Sequence, residues 1–221
     1  FGDLLAGWYA ARMGLPIGHF VCASNDNKVL YDFFRTGTYD KNRPFYVTVS
    51  PSMDILISSN LERLLCHMGG QDKTKAEMAA LQANGVYQTD ITQTDISAEY
   101  ATQEETFAAI REVYAKTGYV IDPHTAVAYA AYRKYRQESG DQTPMVIVST
   151  ASPYKFTKDV MTALDARYAN GDAFALMQEL ENVSKISIPA PIRGLKDRPI
   201  RHTRVCEKEN IQDTVKEWLL S

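Results

Sequence analysis

Short, uninterrupted apolar runs that each pass through a turn into a capped helix constrain this chain most. The clearest unit joins Met145–Val148 to Ser152-Pro153, a cap followed by proline at the first helical position, and then to Phe156, Val160, Met161 and Leu164 at helical spacing. Another begins at Ile17–Ala23 and turns through Ser24-Asn25-Asp26-Asn27. It continues into a helix bearing Val29, Leu30, Phe33 and Phe34, which Gly37 should stop. A strand without polar alternation is buried on both faces, so such strands alternating with helices specify an α/β domain with a parallel sheet. Ligands of such sheets lie beyond the C-terminal ends of the strands.

Other helices are signalled by their ends. Asp3 is placed to cap a buried helix carrying Leu4, Leu5, Trp8 and Met13, with Gly14 to end it. Ser50-Pro51-Ser52 introduces a helix from about Met53 to Met68, and Gly69-Gly70 separates it from another over Asp72–Gln82. Thr102 and Glu105 form a capping box before Phe107, Ile110, Val113 and Tyr114, and Gly118 closes that helix. Asp122-Pro123 opens one reaching about Glu138, and Glu207–Ser221 sets Ile211, Val215, Trp218 and Leu219 on one helical face. Residues from Gln71 to Gln103 and from Pro189 to Pro199 do not read cleanly as sheet units.

Composition narrows the function classes. With 221 residues, 45% hydrophobic and 23% charged, the chain suits one large soluble domain, or one with an appendage. A net charge of -3 without a Lys/Arg run argues against nucleic acid. No run of about 20 apolar residues and no apolar leader is present, which argues against a membrane span and, with three scattered cysteines, for a cytoplasmic location. Cys22, Cys66 and Cys206, like His19, His67, His124 and His202, lack the spacing of a metal site. Phe1-Gly2-Asp3 runs directly into a helical pattern, so Phe1 is expected to be internal to a longer protein.

Several groups could carry chemistry. Gly2-Asp3 at a helix start suits a phosphate, because helix N-termini expose unpaired N–H groups and glycine admits an anion to the backbone; an ordinary cap explains it as well. Ser149 and Thr150 end a predicted strand, where ligands gather, and Ser152 already suffices as the following cap. Ser58 to Arg63 combines hydroxyls, an amide and a guanidinium suited to an oxyanion, although a solvated helix face has the same look. Ser24–Asn27 is a site loop or a plain Asx turn. No Ser-His-Asp order, dinucleotide loop or Walker loop is present.

Taken together, Phe1-Gly2-Asp3, ASNDN at Ala23–Asn27, SPSMDILISSNLERLL at Ser50–Leu65, DPHTAVA at Asp122–Ala128 and STASPYKF at Ser149–Phe156 resemble the threonine synthase family of tryptophan-synthase-like, type II pyridoxal-phosphate enzymes. The resemblance implies a parallel-sheet, three-layer αβα fold, incomplete because the N-terminal half is absent. Residues 1–221 would be the C-terminal portion of the large domain, with a helical elaboration around 71–118. It implies that Phe1, Gly2 and Asp3 bind the phosphate of pyridoxal 5'-phosphate, that Thr150 with Ser149 faces the pyridine nitrogen, and that Asn25, Asn60 and Arg63 line the substrate side. Neutral hydroxyls there would leave the nitrogen largely unprotonated. The implied reaction turns O-phospho-L-homoserine and water into L-threonine and phosphate. The lysine that holds the cofactor is expected upstream, in a Ser-Phe-Lys-Asp-like context that no lysine of this chain shares, so the chain alone should be inactive and retain cofactor poorly. Its partners would be that substrate and the missing N-terminal half, with the oligomeric state left open. Alternatives are a related phospho-lyase, dehydratase or cysteate synthase, and a non-catalytic regulatory or interaction domain of the same fold.

Overall fold

The computed structural model describes residues 1–91 and 94–220; Thr92, Gln93 and Ser221, the last of which the spacing puts in the final helix, lie outside the described residues. The chain divides into two units, Phe1–Ser187 and Ile188–Ser221.

The first unit opens with α1 (Gly2–Arg12), whose capping position is Phe1 and which no side chain caps. Asp3 is therefore not the cap. It stands one residue inside the first turn, where a carboxylate meets the positive end of the helix dipole instead of bonding an amide. Strand β1 (Phe20–Ser24) and helix α2 (Val29–Thr36) follow. Gly37 ends α2 in the left-handed region at φ 73°, and a Cβ there would stand 2.7 Å from the carbonyl oxygen of Thr89. The site is glycine-specific because Thr89 donates to the Gly37 carbonyl at 2.9 Å and holds that backbone close.

After β2 (Thr38–Asp40) the helix expected over Met53–Met68 is broken. Pro51–Met53 makes one 3-10 turn, extended chain follows, and α3 (Ser59–Gly69) starts only where the Ser58 hydroxyl accepts from the Leu61 amide at 3.3 Å. The Tyr39 phenol holds the extended piece, donating to the Leu56 carbonyl and accepting from the Ser58 amide, each at 3.0 Å. Burial pushes that phenol up to about 12, so it stays a donor. Helix α4 (Gln71–Asn84) leads to β3 (Val86–Gln88), antiparallel to β2, with the Tyr39 and Tyr87 rings stacked 5.2 Å apart.

Strand β4 (Ile96–Tyr100) pairs parallel with β1, from Phe20 opposite Ile96 to Ser24 opposite Tyr100. It lies in the stretch whose spacing gave no sheet unit. Ser97 and Glu99 interrupt the apolar run, and Glu99 is buried only because Arg35 of α2 reaches it at 2.7 Å. Next comes α5 (Gln103–Thr117), with both bonds of its capping box formed, and then α6 (Pro123–Ser139), capped by Asp122. Both α2 and α6 pack on the β1–β4 pair. The expected strand Met145–Val148 is not formed and pairs with no strand among the described residues, leaving Val146 85% exposed. Ser152 caps a 3-10 turn, Pro153–Phe156, that runs into α7 (Thr157–Leu164), and α8 (Ala173–Ser184) follows.

One cluster gathers Leu5, Val29, Leu30, Phe33, Tyr39, Leu61, Leu64, Tyr87 and Ile96 around these elements. Burying each large side chain contributes about 1.5–3 kcal/mol against the chain entropy. The result is an α/β fold with a parallel sheet. The second unit consists of turns and α9 (Ile211–Leu220), where the His202 and Trp218 rings meet edge to face at 5.7 Å. The face of Ile211, Val215, Trp218 and Leu219 is exposed.

Candidate functional site

The uncapped start of α1 faces α3. A Cβ on Gly2 would lie 3.3 Å from Asn60 Nδ2, and Arg63 donates to Asn60 Oδ1 at 2.9 Å. That bond fixes which way the amide points: its oxygen toward the guanidinium, its NH2 toward Gly2. The first-turn N–H groups of α1 receive no side-chain cap, so backbone donors and the Asn60 amide donor face a place where only a hydrogen projects from the helix, with Arg63 behind Asn60. These groups suit an anion of phosphate type. Asp3 is exposed in the same turn, and Phe1 stacks on Phe34 with centroids 5.9 Å apart.

Asn25 stands elsewhere. It is 2% exposed, beyond the end of β1, and its amide nitrogen reaches Thr48 Oγ1 at 2.8 Å, Ser50 Oγ at 3.0 Å and Asp54 Oδ1 at 2.7 Å. Asn27 joins in, donating to Asp54 Oδ1 at 2.9 Å and to the Tyr46 carbonyl at 2.8 Å. The two asparagines thus stitch loop 46–54 to the strand end.

That loop continues the network to a buried carboxylate. The Ser52 amide donates to His124 Nε2 at 3.1 Å, and His124 Nδ1 lies 3.0 Å from Asp122 Oδ1. Asp122, whose side chain is fully buried, also takes the His124 amide at 2.9 Å and the Thr125 hydroxyl. Burial alone would raise its carboxyl, yet the donors of His124 and Thr125 outweigh it and hold the group below the ordinary aspartate value. Thr125 Oγ1 in turn lies 3.0 Å from Ser149 Oγ. Ser149 and Thr150 are themselves exposed.

Gly2, Asn60 and Arg63 therefore come together, and Asn25 and Ser149 sit at two ends of one polar network. Ser52, Asp54, Asp122, His124 and Thr125 were missed as site residues. Asp122 offered only a helix cap from its spacing, a role it does fill; its link to Ser149 runs through Thr125, 24 positions before that serine. Among the described residues no helix is long and apolar enough to cross a membrane.

Residues 125–217 match the family model described as "Threonine synthase, C-terminal". The chain is 38% identical to "Threonine synthase-like 1" of Mus musculus, over 90% of its length and 27% of that protein. It is 37% identical to the threonine synthase of Saccharomyces cerevisiae, over 74% of its length and 36% of that enzyme. Its fold superposes on the PLP-bound threonine synthase of Brucella melitensis with a TM-score of 0.78 at 33% identity, covering 99% of this chain and 43% of that one. The chain thus spans about a third of the length of its curated relatives. Family-model, sequence and structural likeness thus converge on one α/β framework, that of the threonine synthases, whose C-terminal part this chain resembles.

Proposed function

We propose that the whole protein carrying this chain is a pyridoxal-phosphate-dependent threonine synthase, which converts O-phospho-L-homoserine and water to L-threonine and phosphate. The observation that carries the reading is the corner at the uncapped start of α1 in which Gly2 faces an Asn60 amide oriented by Arg63. Both the cofactor and the substrate bear a phosphate, and a corner of this kind recognises one. Phe1, Gly2 and Asp3 hold the cofactor phosphate at the start of α1, where side-chain bulk at Gly2 would crowd Asn60. Asn60 and Arg63 border the same corner from α3 and take the substrate side. Ser149 and Thr150 meet the ring-nitrogen edge, and Asn25 serves the site through the loop it fixes at Thr48, Ser50 and Asp54. When bound, pyridoxal phosphate supplies the electron sink that lets protons leave carbon and phosphate depart.

The lysine that carries the cofactor lies in sequence outside this chain. Lys155, in the Pro-Tyr-Lys-Phe turn, instead places its ammonium 5.5 Å from the Phe156 ring centre. The chain by itself is accordingly inactive and holds cofactor weakly. The test is borohydride reduction of the whole protein loaded with pyridoxal phosphate, followed by peptide mapping and product analysis with O-phospho-L-homoserine. One modified lysine outside these residues, with threonine and phosphate as products, supports the reading. A modified lysine within this chain overturns the division of the site, and a keto acid product overturns the reaction in favour of a related phospho-lyase.

A further inference from the structure

The end of α1 opposite the Gly2 corner opens on a cavity of about 240 Å³, with Trp8, Ile17, Phe20 and Ile96 in its lining and Arg12 and Asp95 as its two charged residues. Ile96 is 7% exposed, and Phe20 packs so close to α1 that a Cβ on Gly7 would stand 3.1 Å from its ring. The Arg12 guanidinium lies 4.8 Å from the Trp8 ring centre, which stations a cation over one wall. Closing the helix does not require it there, because the Tyr9, Ala10 and Ala11 carbonyls already accept from the amides of Met13, Gly14 and Leu15. Asp95 is fixed through its backbone, whose carbonyl takes the Phe20 amide at 2.8 Å at the head of the β1–β4 ladder. Its carboxylate and the Arg12 guanidinium have no ion-pair partner among the described residues.

We infer that this cavity is a binding site for a small α-amino acid with an apolar side chain, its carboxylate on Arg12, its ammonium on Asp95 and its side chain against Trp8, Phe20 and Ile96. Size selects a small ligand, since the cavity falls below the roughly 300–1,000 Å³ of sites for drug-sized molecules. Charge selects a zwitterion. A hydrocarbon or an apolar protein side chain seated here would cover both charges and satisfy neither, whereas an amino acid gives each a charge-assisted hydrogen bond. The apolar walls select the side chain. O-phospho-L-homoserine, with a phosphate at its far end, meets no second cation in this lining, so the site serves a different amino acid from the proposed substrate.

L-leucine is the probe. Calorimetric titration of the whole protein compares it with 4-methylpentanoate, which lacks the ammonium, and isoamylamine, which lacks the carboxylate. The expected result is saturable leucine binding, with each analogue at least about tenfold weaker, the size of one lost charged hydrogen bond. Arg12→Gln should bring leucine down to the level of isoamylamine, and Asp95→Asn to that of 4-methylpentanoate, with turnover of O-phospho-L-homoserine unchanged in both. Leucine binding indifferent to both substitutions lies elsewhere and overturns the site. Absence of binding, the result when the rest of the protein fills the cavity, overturns it equally. These readouts are binding constants, so they leave the proposed function untouched; that reading fails separately when the unaltered protein makes no threonine.

Discussion

The Ser52 amide and His124 Nε2 meet at 3.1 Å although 72 positions separate them in sequence. An Nε2 that accepts an N–H carries no proton, so the ring proton sits on Nδ1 and points at Asp122. Replacing His124 by Ala strands the Ser52 amide and withdraws one donor from a buried carboxylate. The expected loss is about 2 kcal/mol of unfolding free energy in the whole protein, measured by urea denaturation at neutral pH with an unchanged slope. A loss below about 0.5 kcal/mol would show that the contact contributes less than a typical buried hydrogen bond.

Asp122 also sets a pH dependence. Its folded carboxyl lies below the ordinary aspartate value of 3.8. The associated stability is therefore complete above 3.8 and is lost as pH falls from there through the depressed folded value. Asp122→Asn removes this titration. The stability-against-pH curve of the variant should be flatter than that of the unaltered protein in the acid limb below 3.8, and parallel curves there would refute the assignment.

Arg35 and Glu99 are unequal partners. The Glu99 side chain is 5% exposed and that of Arg35 is 43% exposed. Desolvation, then repulsion from Glu138, raises the Glu99 carboxyl, against the pull of Arg35. Arg35→Ala leaves a charge buried against the sheet and should cost about 3 kcal/mol, whereas Glu99→Gln leaves an exposed arginine and should cost clearly less. Equal losses in paired thermal melts would contradict this asymmetry.

At the anion corner, Gly2→Ala puts a methyl group 3.3 Å from Asn60 Nδ2. Helix propensity favours alanine, so stability should hold or rise while affinity for pyridoxal phosphate drops about tenfold, the equivalent of a weakened charged hydrogen bond. Arg63→Gln is expected to act differently, raising KM for O-phospho-L-homoserine about tenfold or more with the cofactor still bound. Absorbance titration separates the two, and loss of cofactor in Arg63→Gln would move that residue to the cofactor side.

Local signals were readable wherever one short segment decides the outcome. The Thr102–Glu105 capping box, the Asp122-Pro123 start and the Gly37 and Gly118 stops all stand where their spacing puts them. Elements decided by distant partners were not readable. β4 hides because Arg35 makes it tolerable to bury Glu99, and the 54–58 segment stays non-helical because Asp54 and Tyr39 claim it. Met145–Val148 carries a strand's composition, but composition does not supply the neighbour that pairing needs, and the segment pairs with no strand among the described residues. The site divides in the same way: Gly2, Asn60 and Arg63 could be singled out by residue type, whereas the contact between Thr125 and Ser149 exists only once α6 lies beside Ser149.

The parallel pairing of β1 with β4 sets an order of assembly. Roughly seventy residues intervene between the paired strands, and closing a loop of that length costs about 4 kcal/mol in chain entropy before any ladder bond forms. The contacts of α3 with the adjacent α4 are local and those of β2 with β3 close a shorter loop of about 45 residues, so both can form first, shortening the search. Changes to Tyr39 or Leu64, within that early block, should therefore slow folding, whereas changes in α7 or α8 should mainly hasten unfolding.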